Sequence, residues 1–220
     1  MVTNIMQKNE SGINLFPEFL NLFSIIEEEV KNLSSIELDF TSQKWTWAEW
    51  SIRNQVSHMA SLIPRWLLIR WENTLFKNDE HGFSNLDSIA NSPYDRRLND
   101  DIYWEISDIL VVLNQSINLA ITALNKFSID FFKNSPVIPR DSNEQWKMMV
   151  EAHKSGVTIS KDYKNSTINL EATFRHILFE EITHLHNIQR LKKAQGIQLI
   201  SSVPFIGYWA LDDWDRSEPN

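Results

Sequence analysis

Residues 167–196 read TINLEATFRHILFEEITHLHNIQRLKKAQG. This stretch decides the fold. It contains no proline and ends on a glycine, the residue that most often stops a helix. Within it His176, Glu180 and His184 recur every four residues. Four residues turn a helix by only about 40° beyond a full circle, so the three side chains form a ladder on one face. Imidazole and carboxylate groups one turn apart can share a divalent metal ion. Ile177, Ile188 and Leu191 flank the ladder and argue for its burial, while Leu178 and Ile182 make the other side apolar too. Two readings stay open. The ladder can face inward as a metal site, or it can be a surface Glu–His pairing worth about 0.2–0.5 kcal/mol. His186 lies too far round the helix to join His184 on one ion.

Three more amphipathic helices are expected upstream. Phe16, Phe19, Leu20, Phe23, Ile26, Val30 and Leu33 fall at steps of three and four, which predicts a helix over Phe16–Leu33 with Pro17 in its first turn. The acidic run Glu27–Glu29 reads as a solvated face. Ser51 is a good N-cap, with Asn54 and Gln55 able to reach back to it. The helix it opens runs from Ile52 to about Phe76, with a kink at Pro64. His58 lies on its apolar side, where a histidine is either a core residue or a metal ligand. The third helix is expected from a cap at Asn99 or Asp100, through Ile102 to Leu124, ending near Ser128.

The segments between them are rich in turn formers. Residues 1–14 read as loose, and residues 77–98 as a loop that could act as a lid. Residues 129–165 read as a long crossover broken by one short helix at Asn143–His153, with His153 at the surface. Four long helices and one long crossover predict an all-α four-helix bundle over residues 1–196, and bundles build metal sites from side chains on facing helices. The tail, residues 197–220, carries Phe205, Tyr208, Trp209 and Trp214 and is expected to fold back on the bundle or to close a pocket or a dimer.

Composition sets the outer limits. The chain has 220 residues, 42% hydrophobic and 23% charged, which is globular. Five glycines disfavour a turn-rich β fold, and nine tryptophans serve either as fillers at helix crossings or as a pocket lining. A formal net charge of −8 argues against nucleic acid. There is no cysteine, so a metal would have to be held by His, Asp or Glu. No signal-peptide pattern opens the chain and no uncharged apolar run of membrane-spanning length is seen, so a cytoplasmic protein is expected.

Two segments together resemble the DinB/YfiT-like superfamily. Trp50-Ser-Ile-Arg-Asn-Gln-Val-Ser-His58 is similar to the start of that family's second helix. His176-x3-Glu180-x3-His184, with Gly196 downstream, resembles its fourth-helix motif. The likeness covers roughly residues 16–196. It implies a metal-binding four-helix bundle, commonly a homodimer, with His58, Glu180 and His184 as ligands. Relatives of this kind are often thiol-dependent transferases, which implies a small-molecule substrate and a low-molecular-weight thiol as partner. Glu180 stands where the family usually has a histidine, and Asn187 where it has a glutamine. Three histidines suit Zn2+ or Ni2+, whereas two histidines and a carboxylate are also the ligand set of non-haem Fe2+ oxygenases. A third possibility is that the site has lost its metal and the helices bind a small ligand or a partner. Glu181 and His176 are the acid–base candidates nearest the ladder, with His153 a further one.

Overall fold

The computed structural model describes residues 10–76, 81–162 and 164–219. The protein is mostly helical and also contains a small three-stranded sheet. The long helices are α1 (Phe19–Val30), α3 (Ile52–Pro64), α6 (Ile106–Lys126) and α9 (Leu170–Ala194), with α2 (Ser35–Leu38), α4 (Glu72–Leu75) and α5 (Leu86–Ala90) as short pieces between them. Both α1 and α3 pack against both α6 and α9, and one hydrophobic core runs through all four. An α-helix criterion of length and composition alone would let α6 cross a bilayer, yet half of its most apolar stretch is buried inside the protein. Its apolar face is core.

Of the four long helices α3 and α9 open on side-chain caps, and several boundaries differ from those expected. The first begins at Phe19, not Phe16, behind a 3-10 turn at Gly12–Leu15 that occupies part of the segment expected to be loose; residues 1–9 of that segment lie outside the described residues. Its acidic run is not all solvated, because Glu29 is buried. For α3, Ser51 and Asn54 form the expected reciprocal cap, Asn54 N–H to Ser51 Oγ at 3.2 Å and Ser51 N–H to Asn54 Oδ1 at 3.4 Å.

Pro64 does more than kink its helix. Its ring has no N–H for the carbonyl of Ala60, four residues back. Ser116 of α6 donates to that oxygen at 2.8 Å instead. Beyond the proline the chain widens into a π-helix, Arg65–Arg70, and breaks at Trp71 before α4. The third long helix begins at Ile106, because residues 99–103 are held in a turn by Asn99, whose carbonyl accepts from Ile102 and Tyr103. It ends at Lys126, and Ser128 caps a separate helix, α7 (Ile129–Lys133).

The crossover is where the all-α expectation fails. It holds β1 (Ile138–Asp141), α8 (Glu144–Met149), β2 (Val157–Ile159) and β3 (Asn165–Ile168). The strands pair antiparallel in the order β1-β3-β2, with Ile138 opposite Ile168 and Val157 opposite the same residue. Thr167 and Ile168 are thus strand, and α9 starts at Leu170. Asn169 caps it by accepting from Ala172 N–H at 2.9 Å. Its end is a glycine-closed turn. Gly196, at φ +72°, donates to Lys193 O and Ile197 to Lys192 O, each at 2.9 Å.

The tail does fold back. Tyr208 and Trp209 are buried in a 3-10 turn, Gly207–Ala210, against α9. Gly207 has φ +66°, and a Cβ there would lie 2.4 Å from the Phe179 ring. Only glycine allows so close an approach at this φ.

Candidate metal centre

The second and fourth long helices bring His58, Glu180 and His184 together. The Nε2 atoms of His58 and His184 lie 3.9 and 3.4 Å from Glu180 Oε2, and all three potential ligand atoms fall within 4.8 Å of one another. Ligands about 2.1 Å from one ion stand roughly 3–3.5 Å apart, so a small inward adjustment of His58 gives a common binding point. His58 is 2% exposed, His184 13% and Glu180 18%, so the point sits at the floor of an opening.

Both imidazoles are oriented for this task. His58 Nδ1 lies 2.9 Å from the backbone carbonyl of Arg96. A carbonyl can only accept, so Nδ1 carries the proton and Nε2 offers its lone pair to the centre. His184 Nδ1 is paired with Gln55 Oε1, which leaves its Nε2 facing the same point. His58 Nε2 is buried and has no hydrogen-bond partner. An unpartnered buried lone pair beside a carboxylate and a second lone pair fits a divalent cation, and two histidines with one carboxylate form a ligand set used by Zn2+ and Fe2+ alike. Trp50 covers the pair, 5.2 Å from the His58 ring and stacked at 6.1 Å on His184.

The electrostatics favour ligands in their binding forms. Burial, and then the nearby His184, push His58 down to about 4 against the pull of Glu180. Burial alone would raise Glu180, but His184 and His58 at its side hold it well below the usual carboxylate range. At neutral pH His58 is therefore a neutral imidazole and Glu180 a carboxylate. A cavity of about 380 Å³ opens onto it, lined by Glu180, His184, Trp50, Arg96 and Gln145, with Trp214 of the tail at its wall.

The two other candidates on the fourth helix lie apart from the cavity. His176 is buried, with Nδ1 2.6 Å from the Tyr208 hydroxyl, and burial takes it down to about 3. Glu181 is fully buried with neither carboxylate oxygen bonded, and burial, reinforced by Glu180, pushes it well above the usual range. Contrary to the expectation of a surface position, His153 is partly buried and bonds the same Tyr208 hydroxyl at 2.9 Å. His186 stays out of the centre, stacked on Trp209 at 4.2 Å and bonded to Pro204 O.

Three participants were not evident from the chain. Gln55 is one turn before His58, and that spacing could have marked it. Arg96 comes from the 77–98 segment, of which residues 77–80 lie outside the described residues. It has φ 57°, the one positive value at a non-glycine residue among those described, and only the folded loop shows that its carbonyl meets His58. Tyr208 likewise reaches His176 only through the tail. Comparison with protein-family models, with curated proteins and with solved structures finds no match.

Proposed function

We propose that this protein is a metal-dependent enzyme acting on a small molecule, with the ion held by His58, Glu180 and His184. The observation that carries the reading is the convergence of two oriented Nε2 lone pairs on one carboxylate at the floor of a cavity. With it goes a finer reading of the fold, in which the four long helices are a four-helix bundle of the DinB/YfiT-like kind and the sheet is an embellishment of its crossover. A bound divalent ion supplies Lewis acidity and, if it is Fe2+, open positions for oxygen chemistry.

The chain's own residues define what else happens there. Trp50 and Trp47 wall the cavity and exclude water from one side. Arg96 and Gln55 hold the imidazoles in one tautomer and one orientation. Glu180 contributes a negative charge where a three-histidine site has none, which favours a harder ion. The chain has no cysteine, so thiol chemistry requires a free thiol as co-substrate. Transfer to such a thiol is the first reading. An oxygen-dependent reaction is the second, favoured by the two-histidine, one-carboxylate set itself.

Elemental analysis of the purified protein tests the shared core of both. One Zn2+, Ni2+ or Fe2+ per chain is expected, lost in Glu180→Ala and in His184→Ala with helix content unchanged. A wild-type protein that cannot be loaded with any of the three would sink the proposal. Turnover that is equal with and without air would leave the transferase reading and remove the oxygenase.

A further inference from the structure

The protein is acidic, with a formal charge of −8, yet four arginines gather near the candidate centre, and among the described residues only Arg96 is ion-paired, with Asp95 at 3.3 Å. Arg65 and Arg70 are the first and last residues of the π-helix. The i→i+5 bonding of a π-turn puts residues five apart on neighbouring turns of roughly one face, and Arg65 lies within electrostatic range of Arg70. Arg70 lies over the Trp66 ring at 4.5 Å. Arg140, from β1, approaches the same ring at 5.4 Å and packs on Trp146 at 4.0 Å. Trp66 and Trp146 both contact His176, one turn of α9 before Glu180.

None of the three arginines has a carboxylate partner among the described residues. Arg65 donates to Ser61 Oγ at 2.7 Å and to the carbonyl of Arg96, the oxygen that also accepts from His58. Among the described residues no acceptor meets the guanidinium of Arg140 or Arg70, and Arg140 Nε is buried without a partner there. Trp146 Nε1, in the ring beneath Arg140, is a second buried donor left unmet. Asp95 and Glu180 lie within electrostatic range of Arg65, and Glu180 and Asp141 of Arg140, but none of them closes an ion pair with either arginine, and Glu180 is turned to the two histidines. Close like charges with unmet donors are unfavourable alone, and a guanidinium fork matches an oxyanion.

We propose that the ligand of this centre carries an oxyanion, a carboxylate or a phosphate, seated on Arg140 with Arg70 beside it and close to Glu180. This rests on the metal-centre reading for its position but not for its chemistry. Trp66 and Trp146 act as the platform that fixes the guanidinium plane. On the other side, Arg96 lies over Trp50 at 5.3 Å and is paired with Asp95 at 3.3 Å, which also faces Arg65, so the unpaired charge is that of Arg140 and Arg70.

Calorimetric titration with inorganic phosphate and with succinate tests the proposal, on zinc-loaded and on chelator-treated full-length protein. Wild type is expected to bind at least one of the two anions at one site per chain. Arg140→Gln should weaken that binding by about tenfold or more, the effect of losing charge-assisted hydrogen bonds. Arg140→Lys keeps the charge but not the fork and should fall between, and Arg70→Gln, at an exposed position, should weaken it by about threefold. Zinc content should not change in any of them. Thermal melting identifies a variant that fails to fold, and Arg140→Lys and Arg70→Gln then decide. Failure of both anions to bind wild type, or binding indifferent to Arg140 and Arg70, overturns the proposal while leaving a loaded metal centre intact. Anion binding lost in Arg140→Gln by a protein that takes up no zinc would uphold it and remove the metal reading.

Discussion

Gln55 shows how much of the centre depends on a residue that would touch no metal. Its side-chain oxygen pairs with His184 Nδ1 and so selects the tautomer with a free Nε2. Replacing it by leucine keeps the volume and removes the acceptor. Partners of ligating histidines are commonly worth about 10–100-fold in metal affinity. Gln55→Leu is expected to lose that much zinc affinity in competition with a chelator, with little change in helix content. Affinity equal to wild type would mean that packing under Trp50 alone orients His184. The His58 partner is a backbone carbonyl, which no substitution removes directly.

Among the elements, α1, α9 and the tail share one buried knot. Lys192 Nζ pairs with the Glu29 carboxylate and donates to Glu29 O at 3.0 Å, and both residues are 1% exposed. Glu29 Oε1 also accepts from Gln189 Nε2 at 2.9 Å, from Ser201 N–H at 2.8 Å and from Ile200 N–H at 3.1 Å. Lys192→Met would leave a buried carboxylate without its cation, and should cost about 3–5 kcal/mol in denaturant unfolding. Adding Glu29→Gln, which keeps an acceptor oxygen for Ile200 and Ser201, is expected to recover more than half of that loss. A double variant no more stable than Lys192→Met would show that the charge itself matters less than the packing. The sequence pattern predicted α1 and α9 to within three residues at each end, because their apolar spacing, and for α9 the stop at Gly196, are local. It misplaced Glu29, since three adjacent glutamates read as solvent-facing unless one knows that Lys192, 163 residues on, is buried opposite. It missed the sheet for a related reason. Strands of three and four residues carry too little alternation to register, and their pairing comes from a chain reversal that no local signal announces.

The whole molecule buries several neutral histidines, and this makes its stability depend on pH. His153 and His176 are pushed down to about 3, and His58 to about 4, chiefly by burial. In the unfolded chain each returns to about 6.5. Between those values the unfolded state binds more protons, so stability is full above about pH 6.5 and falls as the pH drops towards the folded values. The metal-free protein should therefore unfold at progressively lower urea concentration from pH 7 to pH 4.5. His153→Gln should make that decline shallower, and a slope unchanged by the substitution would assign the acid sensitivity elsewhere. On the same scale, the clustering of the three candidate ligands was legible because α9 displays Glu180 and His184 at helical spacing and His58 lies on an apolar face. The cluster of arginines was not. Arg65, Arg70, Arg96 and Arg140 are scattered over seventy-six positions, and only the folding of three separate segments around Trp50, Trp66 and Trp146 brings them within electrostatic range of one another.

The π-helix after Pro64 has a consequence for kinship. A π-turn carries one residue more than the α-turn it replaces, and such turns arise most simply from a one-residue insertion in an ordinary helix. A more distant cousin that kept the α-turn would align with this chain through His58 and again through Glu180 and His184, but only across a one-residue gap between Pro64 and Trp71. Because the wider turn absorbs the extra residue, the chain on either side keeps its facing and the difference is confined to the stretch between Pro64 and Trp71. Such a cousin could share His58, Glu180 and His184 and still present other residues where this protein presents Arg65 and Arg70, so common descent in the candidate centre need not mean a common substrate.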